Sequence, residues 1–494
     1  MAHRLRQGGV VLSLADSAAR GAAATLGGQV LRFAIQLASV SILARILTQS
    51  DYGLFAMVMA IVGVASILGD FGLSMAAIQK QELSQGQRSN LFWTNVAVGI
   101  VTSAGVFLLA QPISAFYGHP ELVIVTQAVA VTFLINALTP QFRAEVSRRL
   151  RFKWLASADV AAQAVGLTLA IAIALSGGGY WALVAQQIGV ALVTLAVLVV
   201  AAGWVPGLPR RHQQMRSLYT FGINTLGVQL ITYTTSNLDN VLIGRVWGAS
   251  ALGIYTRAYQ IFRLPLQQIA APMTRVALPI LSRLQADPRY EAYIQRAQLI
   301  LTYSFGGVFF LLAAVADPAI EILLGPNWDE AKPIFAVLAI GGVFQAIGYS
   351  YYWIFLSRAY TGLQLRWSIV GRSIMVVLMV AGVFFGPIWV AVASSAGQAI
   401  MWMLNTVFAV PKTGVEVRPL VRISLRPLAV YAGLLAVTAP LTWWVLPGWN
   451  PWVKLLVLVL VIALYLTGVF LLFGSVRRDM GDLWDAARRI RKRR

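Results

Sequence analysis

The sequence predicts an all-α polytopic membrane protein with about fourteen transmembrane helices. The chain of 494 residues is 58% hydrophobic and only 12% charged, whereas a soluble domain needs roughly 25% charged residues to cover its surface. Its apolar residues form long blocks, such as 160–175 and 455–473. These blocks recur at the length of about 20 residues that a helix needs to cross a bilayer. Basic residues cluster in alternate loops between the blocks, as they do in membrane proteins.

Hydropathy places each span to within a few residues. The predicted spans are, in chain order, 22–44, 52–72, 90–112, 121–142, 155–176, 180–203, 217–243, 251–274, 297–318, 333–356, 367–386, 388–410, 427–446 and 452–474.

Charge then predicts the orientation, because short cytoplasmic loops are rich in Lys and Arg. With both termini and every second loop inside, most of the 39 Lys and Arg residues become cytoplasmic. The predicted outer loops retain Arg45, Arg245, Lys332 and Lys454. A missed helix would invert this pattern downstream, so we predict a multi-pass protein of the bacterial inner membrane with both termini cytoplasmic. Topology accounts for the net charge of +21, and we expect no nucleic-acid partner.

The basic tail 477–494 allows two interpretations. The tail ends in RRIRKRR and also contains Met480, Leu483, Trp484 and Ile490, which predicts either an interfacial helix on anionic lipid or a disordered topology anchor.

The segment 45–55 recurs weakly at 245–255. Arg45, Ser50 and Gly53 of the first copy correspond to Arg245, Ser250 and Gly253 of the second. Both copies fall in predicted outer loops, so the repeats are parallel. We predict an N-terminal lobe of six helices (1–209), a C-terminal lobe of six helices (210–415), and helices 13 and 14 with a basic cytoplasmic tail (416–494). Duplicated lobes around a central cavity are typical of transporters with alternating access.

Two arginines lie deep within predicted spans, where charge is costly and usually faces a cavity or a partner. Arg263 lies near the middle of the eighth span, and Arg32 is nearly as deep in the first. We interpret them as unpaired arginines of a positive cavity, which suits a pyrophosphate group because guanidinium donors bind phosphate in pairs. The alternative is a structural partner for each. Asp159 is interpreted as an ordinary residue of the cytoplasmic interface.

Other polar residues allow more than one interpretation each. Asp239 and Arg257 lie at similar depth in adjacent spans and form either an ion pair or part of a ligand site. Asn237, in the polar stretch 233–240, hydrogen-bonds sugar hydroxyls, ligates a cation, or joins helices. Gln345, near Tyr349, is a weaker candidate of the same kind.

The sequence contains no pattern typical of catalysis. There is no cysteine, and the three histidines lie in tails or loops. No Gly-rich loop followed by Lys is present to cradle a nucleotide phosphate. We therefore predict a transporter without a metal or organic cofactor, and not an enzyme.

Several motifs together resemble the polysaccharide-transporter family of oligosaccharide flippases. This family belongs to a superfamily that includes the multidrug and toxin extruders and the lipid II flippases. The motifs are NLDNVLIGR at 237–245, LGIY at 252–255, RAY at 257–259, DYGL at 51–54, GDFGLS at 69–74, RLRFK at 149–153 and LLGPNW at 323–328.

The resemblance implies a V-shaped pair of six-helix lobes plus a C-terminal helix pair. It also implies movement of an undecaprenyl-pyrophosphate-linked oligosaccharide from the cytoplasmic to the periplasmic leaflet, for exopolysaccharide, capsule or O-antigen synthesis. In similar lipid II flippases, arginines on the first and eighth helices line the cavity, which implies Arg32, Arg257 and Arg263 here. A cation site on the seventh helix of some relatives implies Asp239, with coupling to a Na+ or H+ gradient.

The implied partners are lipid-linked oligosaccharide, membrane lipids, a polysaccharide polymerase and glycosyltransferases. Three alternatives stay open: a drug or cation antiporter of the same fold, a membrane polysaccharide polymerase or ligase, and a scaffold. Deep arginines favour an anionic substrate over a cationic drug. The short outer loops disfavour a polymerase.

Overall fold

A computed structural model describes residues 27–70, 84–210 and 216–492. Within these ranges the chain is helical almost throughout and contains no strand. It divides into two compact units, Met1–Gly253 and Ile254–Arg494. Residues 71–74 of the GDFGLS motif and the last two residues of the basic tail lie outside the described ranges. The predicted lobes 1–209 and 210–415 and the terminal segment 416–494 stay predictions.

The first unit begins with nine helices. They are α1 (Gly27–Ile46), α2 (Gln49–Val62), α3 (Val64–Asp70), α4 (Gln85–Leu108), α5 (Ala110–Tyr117), α6 (Leu122–Leu138), α7 (Pro140–Arg148), α8 (Phe152–Leu175) and α9 (Trp181–Ala202) among the described residues. A long helical segment, α10 (Arg216–Arg283), follows and is interrupted at Gly248, whose φ of 79° is in the region that favours glycine.

The second unit continues from α10. Its further helices are α11 (Arg289–Leu301), α12 (Gly307–Ala314), α13 (Ala316–Leu324), α14 (Ala331–Ser357), α15 (Thr361–Gly382), α16 (Pro387–Leu404), α17 (Val417–Pro440), α18 (Pro451–Leu472) and α19 (Gly474–Lys492). A π-helical turn, Thr302–Gly306, joins α11 to α12.

Eleven helices among the described residues are long and apolar enough to cross a membrane. They confirm a multi-pass α-helical membrane protein, and each coincides with a predicted span. The other predicted spans, 52–72, 217–243 and 251–274, fall on α2 with α3 and on the two parts of α10. The total of fourteen spans therefore stays a prediction.

Polar side chains cap the N-termini of two helices in the first unit. The Thr48 side chain accepts a hydrogen bond from the N–H of Asp51, and the Asp51 carboxylate accepts one from the N–H of Thr48. Ser84 and Gln87 make the same reciprocal pair at the start of α4. These boxes satisfy N–H groups that have no partner within the helix.

The two copies of the repeated segment pack against each other within the first unit. A Cβ atom at Gly53 would overlap the backbone carbonyl of Ala249, and one at Gly253 would overlap that of Gln49. Since position 49 in the first copy corresponds to 249 in the second, the contact is reciprocal. The Ser250 hydroxyl also donates to the Gln49 side chain over 2.9 Å. Glycine is required here for close backbone approach, which supports the predicted repeat.

An ion cluster joins three helices of the second unit. Lys332, at the start of α14, lies 2.8 Å from Asp317 and 3.1 Å from Glu321 of α13. Lys454 of α18 lies 2.9 Å from Asp317 and is only 8% exposed in its side chain. Burial alone would raise the pKa of Asp317, but hydrogen bonds from the two lysines outweigh it and the pKa is lowered.

The basic tail is helical rather than disordered over residues 474–492, since it forms α19. Its Asp479 is buried and accepts a hydrogen bond from the Tyr303 hydroxyl over 2.9 Å. The same carboxylate lies 3.3 Å from Arg426 of α17. These contacts fix the start of α19 to its own unit.

Replacing Gly53 by Ala should destabilise the protein by about 1–3 kcal/mol, because the added methyl group has no room beside the Ala249 carbonyl. The measurement is the thermal unfolding of the purified protein in detergent. Gly105→Ala is the matched control, since nothing lies within 4 Å of a Cβ at Gly105 and Ala favours helix. Equal melting temperatures for the two variants would contradict the close contact.

Asp317→Asn should lower the melting temperature at pH 7, and the gap to the wild type should close in acid. Because the pKa of Asp317 is lowered in the folded protein, its ionised carboxylate stabilises the fold at pH values above the ordinary pKa of about 3.8. This stabilisation is lost as the pH falls through the lowered pKa. Glu330→Gln, an exposed neighbour that makes no ion pair among the described residues, should leave the curve unchanged. A gap independent of pH would mean that Asp317 acts without its charge.

Candidate functional site

Arg263 is exposed on α10 while the residues around it are buried. Ile261, Phe262 and Leu264 are each at most 6% exposed, whereas Arg263 faces outward. Its guanidinium carbon lies 5.6 Å from the centre of the Tyr259 ring, within the range of a cation–π contact. Among the described residues, no carboxylate lies within 4.0 Å of this guanidinium. Arg263 therefore presents a positive charge that no carboxylate of the described residues pairs with.

One face of α14 supplies polar groups next to this arginine. Gln345, Tyr349 and Tyr352 follow a helical spacing that places them on one face, and each is at least partly exposed. The intervening Ala346, Ile347, Ser350 and Tyr351 are buried. The helices α10 and α14 pack against each other, since a Cβ atom at Gly342 of α14 would lie 2.5 Å from the Phe262 ring of α10, so Arg263 and these polar groups belong to neighbouring helices.

We call Tyr259, Arg263, Gln345, Tyr349 and Tyr352 the arginine–tyrosine surface. The guanidinium has five donors that suit phosphate oxygens. Amide and phenol groups hydrogen-bond hydroxyls, and aromatic rings offer flat apolar faces. The surface can thus bind an anion and a polar, partly apolar group side by side.

Arg257 does not share a helix face with Arg263. The step of six positions from 257 to 263 turns the helix by about 600°, so the side chains start about 120° apart. Arg257 is half-buried. Its predicted contact with the substrate stays a prediction.

Arg32 was expected to be unpaired, and the structure shows that this expectation is wrong. Its guanidinium lies 3.8 Å from the Asp159 carboxylate of α8, and Arg143 of α7 lies 2.8 Å from the same carboxylate. Asp159 is therefore more than an ordinary interface residue, because it holds two cations. The three side chains keep one net positive charge, and the Arg32 side chain is 43% exposed.

The polar stretch of α10 is partly committed to the helix itself. The Asn237 amide donates to the Tyr233 carbonyl over 2.9 Å. Asp239 is 3% exposed, and its carboxylate accepts a hydrogen bond from the N–H of Asn240 over 2.9 Å. The described residues contain no group of three His, Cys, Asp or Glu side chains that could hold a metal ion. The proposed ion pair of Asp239 with Arg257 stays a prediction.

Sequence reasoning missed a second arginine network in the first unit. The buried Glu145 lies 3.0 Å from Arg88 of α4 and 2.6 Å from Arg149. Arg149 also donates to the Ala202 carbonyl at the end of α9 over 3.0 Å. Arg149 lies in the RLRFK motif, and no partner was predicted for it from the sequence. The spacing of Glu145 and Arg149, four residues apart, is the signal that could have revealed the pair.

Comparison with known sequences gives a consistent group of relatives. The family model described as "Polysaccharide biosynthesis protein" matches residues 42–333. The lipopolysaccharide biosynthesis protein WzxC of Escherichia coli K12 is 24% identical over 407 residues, which cover 81% of each chain. The teichuronic acid biosynthesis protein TuaB of Bacillus subtilis is 28% identical over 63% of this chain and 65% of its own. The succinoglycan biosynthesis transport protein ExoT of Rhizobium meliloti is 26% identical over 62% and 63%.

Two kinds of solved structure share the fold. The lipid II flippase MurJ, in an inward closed conformation, aligns with a TM-score of 0.68 at 13% identity and covers 92% of this chain and 99% of its own. An inward-facing multidrug transporter of the MATE family aligns with a TM-score of 0.58 at 13% identity, over 78% and 94%. At these identities the likeness concerns the fold.

The pairing of Arg32 with Asp159 can be tested by a double-mutant cycle on thermal stability. Asp159→Asn should cost about 1 kcal/mol because it leaves two arginines without a counter-charge in a half-exposed site. Arg32→Gln in that background should cost less than it does alone. Asp482→Asn, on an exposed carboxylate of α19, is the control. Strictly additive effects would show that Arg32 and Asp159 do not interact.

Proposed function

We infer the function from one premise, which is that the chain belongs to the polysaccharide biosynthesis protein family whose model matches residues 42–333. We propose that it is a flippase that moves a lipid-linked oligosaccharide across the bacterial inner membrane for polysaccharide synthesis. The names of its relatives refer to lipopolysaccharide, teichuronic acid and succinoglycan, and one refers to transport. The fold shared with a lipid II flippase is compatible with a flippase.

The arginine–tyrosine surface is the observation that carries this proposal. A positive group on an apolar helix is costly in hydrocarbon, so an exposed Arg263 needs an anion during the working cycle. The pyrophosphate of a polyprenyl carrier supplies two phosphates for the guanidinium. Gln345 and the tyrosines are suited to the first sugars beside it.

The direction of movement follows from where such substrates are made and used. We propose transfer of an undecaprenyl-pyrophosphate-linked oligosaccharide from the cytoplasmic to the periplasmic leaflet, in a protein with both termini cytoplasmic. Flipping breaks no covalent bond, so glycosyltransferases on the inner side and a polymerase on the outer side are the expected partners. The glycan itself belongs to exopolysaccharide, capsule or O-antigen synthesis.

Alternating access requires a contact that closes one side of the membrane and then separates. The reciprocal packing of Gly53 with Ala249 and of Gly253 with Gln49 lies in segments that the charge pattern places outside. Backbone packing at glycines excludes water well, and few side chains must rearrange when it opens. We propose this contact as the outer closure, with a gradient of Na+ or H+ acting through the buried Asp239 as the driving force.

A drug or cation antiporter of the same fold is the alternative function. A cationic drug would need an acidic surface, whereas the arginine–tyrosine surface carries a positive charge. The described geometry therefore favours the anionic substrate.

Arg263→Ala should reduce export of polysaccharide at least tenfold while the protein stays at normal levels in the membrane, because the pyrophosphate loses its main cationic contact. The measurement is the leaflet distribution of lipid-linked oligosaccharide in cells that express only the variant. Arg283→Ala is the matched control, since Arg283 is exposed at the end of the same helix.

Accumulation of the lipid-linked oligosaccharide on the cytoplasmic face with Arg263→Ala, but not with Arg283→Ala, is the expected result. Normal export by Arg263→Ala would remove Arg263 from the site. An unchanged leaflet distribution in cells that lack the protein altogether, together with increased drug susceptibility, would favour the antiporter instead.

A further inference from the structure

A shallow groove of about 560 Å³ runs along one face of α17 in the second unit. It is lined by Val417, Arg418, Val421, Arg422, Leu425, Arg426 and Ala429. Three arginines at a spacing of four residues form one edge, and the apolar side chains form the other. Residues four apart lie one above another on a helix, so the arginines make a continuous cationic ladder beside an apolar strip.

The opposite face of α17 is fixed in the core of its unit. Ser424 is fully buried and accepts a hydrogen bond from the Gln298 amide over 2.6 Å. Tyr431 is 8% exposed, and its hydroxyl donates to the Tyr303 carbonyl over 3.1 Å. Because these contacts hold one face inward, the ladder points outward.

Two of the ladder's charges have no internal counter-charge. Arg418 and Arg422 are exposed, and neither forms an ion pair among the described residues, the adjacent Glu416 included. Arg426 is different, since its guanidinium lies 3.3 Å from the buried Asp479 of α19. Among the described carboxylates, one therefore pairs with the third arginine, Arg426, and none pairs with the other two.

The groove lies where the headgroups of the inner leaflet would be. Arg418 and Arg422 belong to a loop-proximal segment that the charge pattern places on the cytoplasmic side, and α17 continues as an apolar span to Val445. Leu425 is 52% exposed and follows Arg422 toward the hydrocarbon. Beyond Arg422, the uncharged lining residues Leu425 and Ala429 lead toward the hydrocarbon, while Arg426 is paired with Asp479.

We propose that this groove binds one anionic phospholipid of the cytoplasmic leaflet. Its phosphate contacts Arg418 and Arg422, and an acyl chain covers Val421, Leu425 and Ala429. Charge complementarity selects an anionic over a zwitterionic headgroup. A free phosphate would leave the apolar strip uncovered, so the geometry favours a lipid. Arg426 belongs to the ladder and also pairs with Asp479 of α19. The bound lipid therefore also stabilises this contact between α17 and the C-terminal helix.

The test measures lipid binding to the purified full-length protein in detergent. Native mass spectrometry and thermal shift are the two readouts. Phosphatidylglycerol should bind at least tenfold more tightly than phosphatidylcholine to the wild type. The double variant Arg418→Gln/Arg422→Gln should lose most of this preference. The control double variant Arg283→Gln/Arg366→Gln removes two exposed arginines from the same predicted side and should stay within twofold of the wild type.

Three outcomes would overturn the proposal. The first is an unchanged preference for phosphatidylglycerol in the Arg418→Gln/Arg422→Gln variant with an unchanged melting temperature. The second is an equal loss in the control variant, which would mean a general effect of charge. The third is displacement of phosphatidylglycerol by undecaprenyl phosphate at tenfold lower concentration, which would assign the groove to the substrate. The readout is binding, so it is independent of whether the protein flips oligosaccharides.

Discussion

The hydrocarbon core of the bilayer offers no partner for a polar group, and most of this structure follows from that constraint. Backbone N–H and C=O groups must bond within the chain, which makes the described residues helical. Charged side chains also need partners, and the structure provides two kinds of partner. Asp159 and Glu145 each hold two arginines, whereas Arg263 contacts the Tyr259 ring and no carboxylate among the described residues. The difference separates charges that hold the fold together from a charge that is available to a ligand.

The same constraint decides what could be predicted from sequence. Hydropathy is a property of long windows, so the eleven apolar helices appear at the predicted places. An ion pair depends on two residues that the fold brings together. Arg32 and Asp159 are far apart in the chain, and no local pattern marks them as neighbours. The depth of Arg32 in the membrane stays a prediction, and Asp159 was not predicted as its partner.

Helix spacing predicts which side chains share a face of a helix, but not which neighbouring helix that face meets. Gln345, Tyr349 and Tyr352 share a face by spacing alone, yet their position beside Arg263 depends on the packing of α10 against α14, which periodicity does not encode. The interruption of α10 at Gly248 is a different case, because it falls between the predicted spans 217–243 and 251–274, so hydropathy predicted it. The sequence repeat did not predict that its two copies contact each other at their glycines.

These contacts have a consequence for how the chain can change over generations. Position 53 is confined by position 249 and position 253 by position 49, so each half of the repeat acts as the steric mould of the other. A larger side chain at position 53 or 253 cannot be accommodated by changes in its own copy of the repeat, because it would collide with the backbone of the other copy. The two copies are then free to diverge in their helices and loops while remaining bound to each other at this point, and the most slowly drifting positions of the molecule need not be those that touch its cargo.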